Sequence, residues 1–216
     1  MTNGKTKISW ITIILLLTFW GICASFYPSM PEQVPTHWNI KGEIDGYSHK
    51  AVATLIMPLL PLGIYLLMII IPKIDPKKES YRKFSASYEK ICLATVLIMV
   101  GVVTMSLMAG LGYKVNISLI MRILLPIFFI YLGNYMAKIK HNYTLGFKTP
   151  WTLASEVVWK KTHRLGSKLM VAGGLVALLG LLASPTVGFV IMMAGILVPT
   201  IITTIYSYVI FAQQNK

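Results

Sequence analysis

The sequence predicts an all-α integral membrane protein with six transmembrane helices, and three observations predict it. Of 216 residues, 56% are apolar and only 12% are charged, too little polar surface to coat a soluble domain of this length. Apolar runs at about 8–27, 51–71, 91–112, 117–137, 167–183 and 187–212 approach or exceed the roughly 20 residues that cross a bilayer. Lys and Arg concentrate in alternate connections. Sixteen fall in 1–7, 73–90, 138–168 and the tail, against Lys41, Lys50 and Lys114 in the others. The positive-inside rule therefore expects both termini and the two basic loops in the cytoplasm, an N-in/C-in arrangement in the cell membrane. The same distribution explains most of the net charge of +13 as topology, so the basic pI is no argument for direct nucleic-acid binding.

The expected organisation is a two-helix membrane domain over 8–72, carrying an external loop at 28–50, then a basic cytoplasmic loop at 73–90. A four-helix region over 91–212 follows, and it includes the cytoplasmic loop 138–168. The first run also has features of a signal peptide, since Lys5 and Lys7 precede an apolar stretch ending at Cys23-Ala24-Ser25. Its length, and Ile22 just before Cys23, favour a span. In the external loop, Pro28, Pro31 and Pro35 exclude a helix through the first half. Val34, Thr36, Trp38 and Ile40 then alternate with polar or proline positions, the period of a strand with one buried face, and Asp45-Gly46 reads as a tight turn. Trp38 and Tyr47 are expected at headgroup level. In the second span, Pro58, Pro61 and Gly63 predict a kink or local unwinding.

Arg122 is an intramembrane charge about five residues inside the fourth span. Its shallow depth predicts snorkelling to the interface, with a carboxylate such as Asp45 or Glu43 as the alternative partner. Beyond the fourth span, Thr149 is placed to cap a helix and Pro150 suits its first position, while Glu156 and Lys160 have the spacing of an ion pair. Trp151, Ala154, Val158 and Leu165 recur at helical steps. The pattern predicts a cytoplasmic amphipathic helix lying in the interface, anchored by Trp151 and Trp159, with Lys160, Lys161 and Arg164 near lipid phosphates. Gly173, Ala177, Gly180 and Ser184 place small residues at helical spacing and predict close contact between the fifth and sixth spans.

Cys23 and Cys92 belong to no CxxC motif and read as small packing residues. His37 and His49 share the external loop with Glu32, Glu43 and Asp45, but their spacing matches no metal motif, so no metal or cofactor is expected. His141 and His163, among Lys and Arg, are expected to be solvated or lipid-facing. No nucleophile and base cluster stands out, which argues against an enzyme.

Gly133-Asn134, Asn142, Gly146, Lys148-Thr149-Pro150-Trp151-Thr152, Glu156, Val158-Trp159-Lys160, Lys168 and Gly173-Gly174 resemble the signature region of SdpI-family immunity proteins. Pro31, Val34-Pro35, His37-Trp38-Asn39, Gly42, Asp45, Tyr47 and Lys50 are similar to the uncharacterised domain that often precedes that region. The resemblance implies resistance to a secreted, membrane-active peptide toxin bound at the membrane. In the founding system it also implies recruitment of a cytoplasmic ArsR-type repressor. On this reading His37, Trp38, Asn39 and Asp45 receive the toxin. Lys148, Thr149, Pro150, Trp151, Thr152, Glu156 and Trp159 support the inner face or dock the repressor. The alternatives are a small transporter for a peptide or ion, which would need a polar path beyond Arg122 and Asn134, and a membrane-embedded enzyme.

Overall fold

The computed structural model describes residues 9–214. Six helices are long and apolar enough to cross a membrane: Trp10–Ser29, Val52–Ile74, Ser85–Gly110, Ile117–Met136, Glu156–Leu182 and Pro185–Gln214. The chain is therefore a multi-pass, all-α membrane protein. Its helices are α1 (Trp10–Ser25), α2 (Leu59–Ile74), α3 (Lys78–Tyr81), α4 (Ser85–Gly110), α5 (Ile117–Met136), α6 (Pro150–Ala154), α7 (Glu156–Leu179) and α8 (Pro185–Gln214). Contacts divide the described residues into two units, one of 9–69 with 92–121 and one of 70–91 with 122–214.

In the first unit, Ser9 caps α1 by accepting from the Thr12 amide at 3.2 Å. After α1, strands β1 (Gln33–Trp38) and β2 (Ile44–His49) pair antiparallel, so the alternating pattern read in the external loop is a β-hairpin. Its turn is not at Asp45-Gly46, which lies inside β2. Asn39 sets the turn instead: its side-chain oxygen accepts from the Lys41 amide at 2.9 Å and the Glu43 amide at 3.1 Å, while Gly42 donates to the Asn39 carbonyl. An Asn that bonds its own following amides fixes a turn as firmly as Asp-Gly does. Gly42 completes it with φ 85°, and a Cβ there would come within 2.8 Å of Ser118 Cβ. Val34, fully buried, packs β1 onto a core of Cys23, Met30, Ala53, Val103 and Leu107, and the Ser106 hydroxyl donates to the Pro35 carbonyl.

The expected distortion of the second span is a π-helical turn at Val52–Ile56, in which the Met57 amide reaches back to the Val52 carbonyl at 2.8 Å. The wider turn lets the chain pass Pro58, which has no amide proton and would crowd a regular helix. The Trp20 indole donates to the Leu55 carbonyl at 2.9 Å beside this irregularity.

In the second unit, α7 and α8 approach backbone to backbone. A Cβ at Gly173 would strike the Gly195 carbonyl, and one at Gly180 would lie 2.6 Å from the Gly188 carbonyl. The small residues read from the sequence are thus what brings these helices together. The segment 149–165, expected as one interfacial helix, is two elements. α6 has five residues, Ser155 breaks the chain in extended backbone (φ −138°, ψ 123°), and its hydroxyl accepts from the Val158 amide to start α7. Buried Val158, Trp159, Thr162, His163 and Gly166 continue into Met170, Gly173 and Ala177. What read as the face of a separate amphipathic helix is the first half of one long packed stripe.

Candidate functional site

The second unit holds a buried polar knot centred on Asp75, which is 4% exposed just after α2. Its carboxylate accepts from the amides of Lys77 at 2.7 Å and Tyr143 at 3.0 Å, and from the hydroxyls of Tyr81 at 2.8 Å and Thr144 at 3.1 Å. Burial opposes the charge, but these donors outweigh it and hold the carboxyl below its usual range. Asn142, fully buried, folds the following loop. Its side-chain oxygen accepts from the amides of Thr144 and Leu145, and its nitrogen donates to the carbonyls of Lys140 and Leu145. A buried carboxylate satisfied four times over is a strong local constraint, because each lost donor leaves part of the charge uncompensated.

Beside this knot, His141, Trp159 and His163 stack in sequence, with ring centroids 4.9 Å and 4.0 Å apart. The Trp159 indole donates to the Ile139 carbonyl at 3.0 Å. His163 Nδ1 bonds the Trp159 carbonyl at 2.8 Å and Nε2 accepts from the Phe147 amide at 3.0 Å, which requires a neutral ring with its proton on Nδ1. Lys77 donates to His141 Nδ1 at 2.8 Å. Burial first, and the Lys77 charge second, lower the His141 pKa below the ordinary imidazole value, and its Nε2 meets no hydrogen-bond partner. Gly146 makes the loop possible: its φ is 124°, and a Cβ would collide with His163 Nε2.

The Thr149-Pro150-Trp151-Thr152 motif is a reciprocal cap. The Thr149 amide donates to the Thr152 hydroxyl at 2.9 Å, the Thr152 amide donates to the Thr149 hydroxyl at 3.2 Å, and Pro150 opens α6. Thr152 also donates to the Phe147 carbonyl, Thr149 bonds Ser207 at 3.0 Å, and Trp151 lies 5.0 Å from the Tyr208 ring. Lys148 and Glu156 are exposed. Among the described residues Glu156 and Lys160 form no ion pair.

Several expectations need correction here. Trp159 is 2% exposed and anchors a core, not a membrane surface, and His141 and His163 are buried instead of solvated. The stack removes both imidazoles from water, and hydrogen bonds replace it at His163. Arg122 does not snorkel: it is 7% exposed and donates to the Gly180 carbonyl at 3.2 Å, where the α7 helix ends. A cation at a helix C-terminus is stabilised by the unsatisfied carbonyls there. Asp75 and Tyr81 were missed as site residues. The signal available was that Asp75, one of seven acidic residues in the chain, directly follows a span and precedes a proline.

The hairpin of the first unit is the opposite kind of place. His37 pairs with Asp45, the Asn39 side chain donates to Glu43 at 2.8 Å, and Glu32 meets Lys50 at 2.8 Å and His49 at 3.1 Å. Its bond to Lys50, more than its neighbour His49, lowers the Glu32 pKa. Around these pairs, Ile40, Ile44 and Tyr47 are 46%, 42% and 56% exposed, and Trp38 is half-buried. The hairpin brings together all four residues expected to receive a ligand. Among the described residues no group of three or more His, Cys, Asp or Glu is arranged to hold a metal ion.

The comparisons with known proteins bear on both places. The SdpI/YfhL protein family matches residues 138–207, the span of the cap, the stack and the α7/α8 contact. A domain of unknown function, DUF1648, matches residues 13–62 and encloses the hairpin. The chain is 31% identical over 201 residues to the immunity protein SdpI of Bacillus subtilis (strain 168), covering 90% of this chain and 94% of that protein. No solved structure matches.

Proposed function

The chain belongs to the SdpI family, and from that premise we propose that it is a non-enzymatic immunity protein that protects its host from a secreted, membrane-active peptide toxin. It does so by binding the toxin at the outer face of the cell membrane. The observation that carries the binding step is the hairpin, where exposed Ile40, Ile44 and Tyr47 surround the His37–Asp45 pair. Apolar area exposed on a rigid strand pair, with a few fixed polar groups, suits an amphipathic peptide gathering at a bilayer surface. Binding there competes with insertion. The basic loops 73–90 and 138–168 then face the cytoplasm, by the charge distribution that sets orientation.

The second, signalling step is recruitment of an ArsR-type repressor to exposed residues of the inner side, among them Lys148 and Glu156. The buried Trp159 and Thr152 shape that surface from beneath without touching a partner, while Pro150 is itself exposed on it. Toxin can drive such recruitment only by binding one arrangement of the helices more tightly than another.

Expression in a toxin-sensitive host without its own immunity gene, followed by challenge with candidate peptides, tests the proposal. Survival that requires the protein supports it, and no protection by a well-expressed protein against any related peptide refutes it. For the signalling step, an ArsR-type repressor should co-purify only when toxin is present.

A further inference from the structure

Neither the hairpin nor the polar knot uses a cleft of about 420 Å³ formed by residues 82–87, 137, 138 and 140. Arg82, Lys83, Lys138 and Lys140 line it, and no carboxylate does. Glu79 meets Arg82 at 3.0 Å in an exposed pair, while the three lysines have no acidic partner among the described residues. Lys138 lies 5.3 Å from the Tyr135 ring centroid.

Two further observations give the charge a direction. The cleft sits where spans end, since Ser85 opens α4 and Met136 closes α5, and the leading amides of a helix have no acceptor within it. Ser87, 8% exposed, also lines the cleft.

We propose that this cleft binds the phosphate of an anionic glycerophospholipid drawn from the surrounding bilayer. The phosphate oxygens accept from the lysines, Arg82 and the Ser87 hydroxyl, a set of charge-assisted bonds. Exposed Ala86 and Ala137 leave a small apolar wall for the glycerol. A soluble phosphate shares the headgroup chemistry, but a cleft at the end of two spans lies at headgroup depth, where the lipid is at far higher local concentration.

The test uses the purified full chain in detergent, titrated separately with phosphatidylglycerol, phosphatidylcholine and inorganic phosphate, with bound species read by native mass spectrometry. Phosphatidylglycerol should be retained and phosphatidylcholine should not. Replacing three cations, Lys83→Gln with Lys138→Gln and Lys140→Gln, should weaken phosphatidylglycerol binding by about tenfold or more. The pair Lys41→Gln with Lys114→Gln, exposed and outside the cleft, should bind as the native chain does. If the triple variant is not monodisperse, Lys138→Gln alone should still weaken binding by about threefold. Equal retention of both lipids, or native affinity in the cleft variants, would overturn the proposal. Inorganic phosphate bound as tightly as phosphatidylglycerol, and lost in the same variants, would assign the cleft to a soluble ligand and overturn the lipid assignment. None of these results depends on whether the hairpin binds a toxin.

Discussion

The hairpin and the 138–163 segment are equally rich in polar and aromatic motif residues, yet they use them in opposite ways. In the hairpin, His37, Asp45, Glu43 and Tyr47 are exposed and their pairings are local. In the other segment, Asn142, Thr152, Trp159 and His163 are buried and bonded to one another or to the backbone, and buried His141 stacks on Trp159 and bonds Lys77. Only the first kind of residue is free to meet a ligand. The second kind is consumed in holding a loop and two helix starts in one conformation, so a dense motif is not by itself a contact surface.

The sharpest way to break this contrast is at Gly146. Gly146→Ala combines a left-handed backbone with a collision at His163 and should cost about 3 kcal/mol or more. The expected result is little folded protein in the membrane fraction; a native level would show that the loop is looser than described. Asp75→Asn comes next. It removes a charge accepted from four donors and should cost about 2 to 3 kcal/mol, read as a lower Tm in detergent.

Asp75 also predicts a pH dependence. Its folded pKa lies below the unfolded value, so its contribution is complete above the unfolded pKa of about 3.9 and is lost as pH falls through the folded one. Native protein should therefore lose stability below about pH 4 more steeply than Asp75→Asn does. His141 acts at milder pH. Its folded pKa is also lowered, so stability should start to fall as pH drops below the unfolded value of about 6.5, and His141→Gln should flatten that slope. Trp159→Phe, which keeps a ring but loses the bond to Ile139, should cost about 1 to 2 kcal/mol by the same Tm assay. At the other end, Tyr47→Ala should change stability by less than about 0.5 kcal/mol, because the ring is 56% exposed.

The spans, the β-character of the external loop and the close α7/α8 contact were legible because each rests on local pattern: apolar run length, period-two alternation and small residues at helical spacing. The cap at Thr149-Pro150 was legible for the same reason. The break at Ser155 was not, since a serine within an amphipathic pattern is tolerated unless its hydroxyl finds the Val158 amide. The displaced turn at Asn39 was hidden behind the stronger Asp45-Gly46 signal. The burial of His141, Trp159 and His163 depends on a stack closed by Gly146 and Lys77, which joins residues up to 86 positions apart in the chain. No local pattern carries such a contact. Arg122 was misjudged because depth alone favours snorkelling, whereas the Gly180 carbonyl offers a nearer partner.

The most direct test of the central claim is a paired measurement, in one toxin-sensitive host, of folded membrane level and survival for the hairpin variant Ile44→Ala with Tyr47→Ala. The account predicts a native membrane level together with lost protection, because these side chains are exposed and the proposed function has them meet the toxin. Native level with native protection would contradict it.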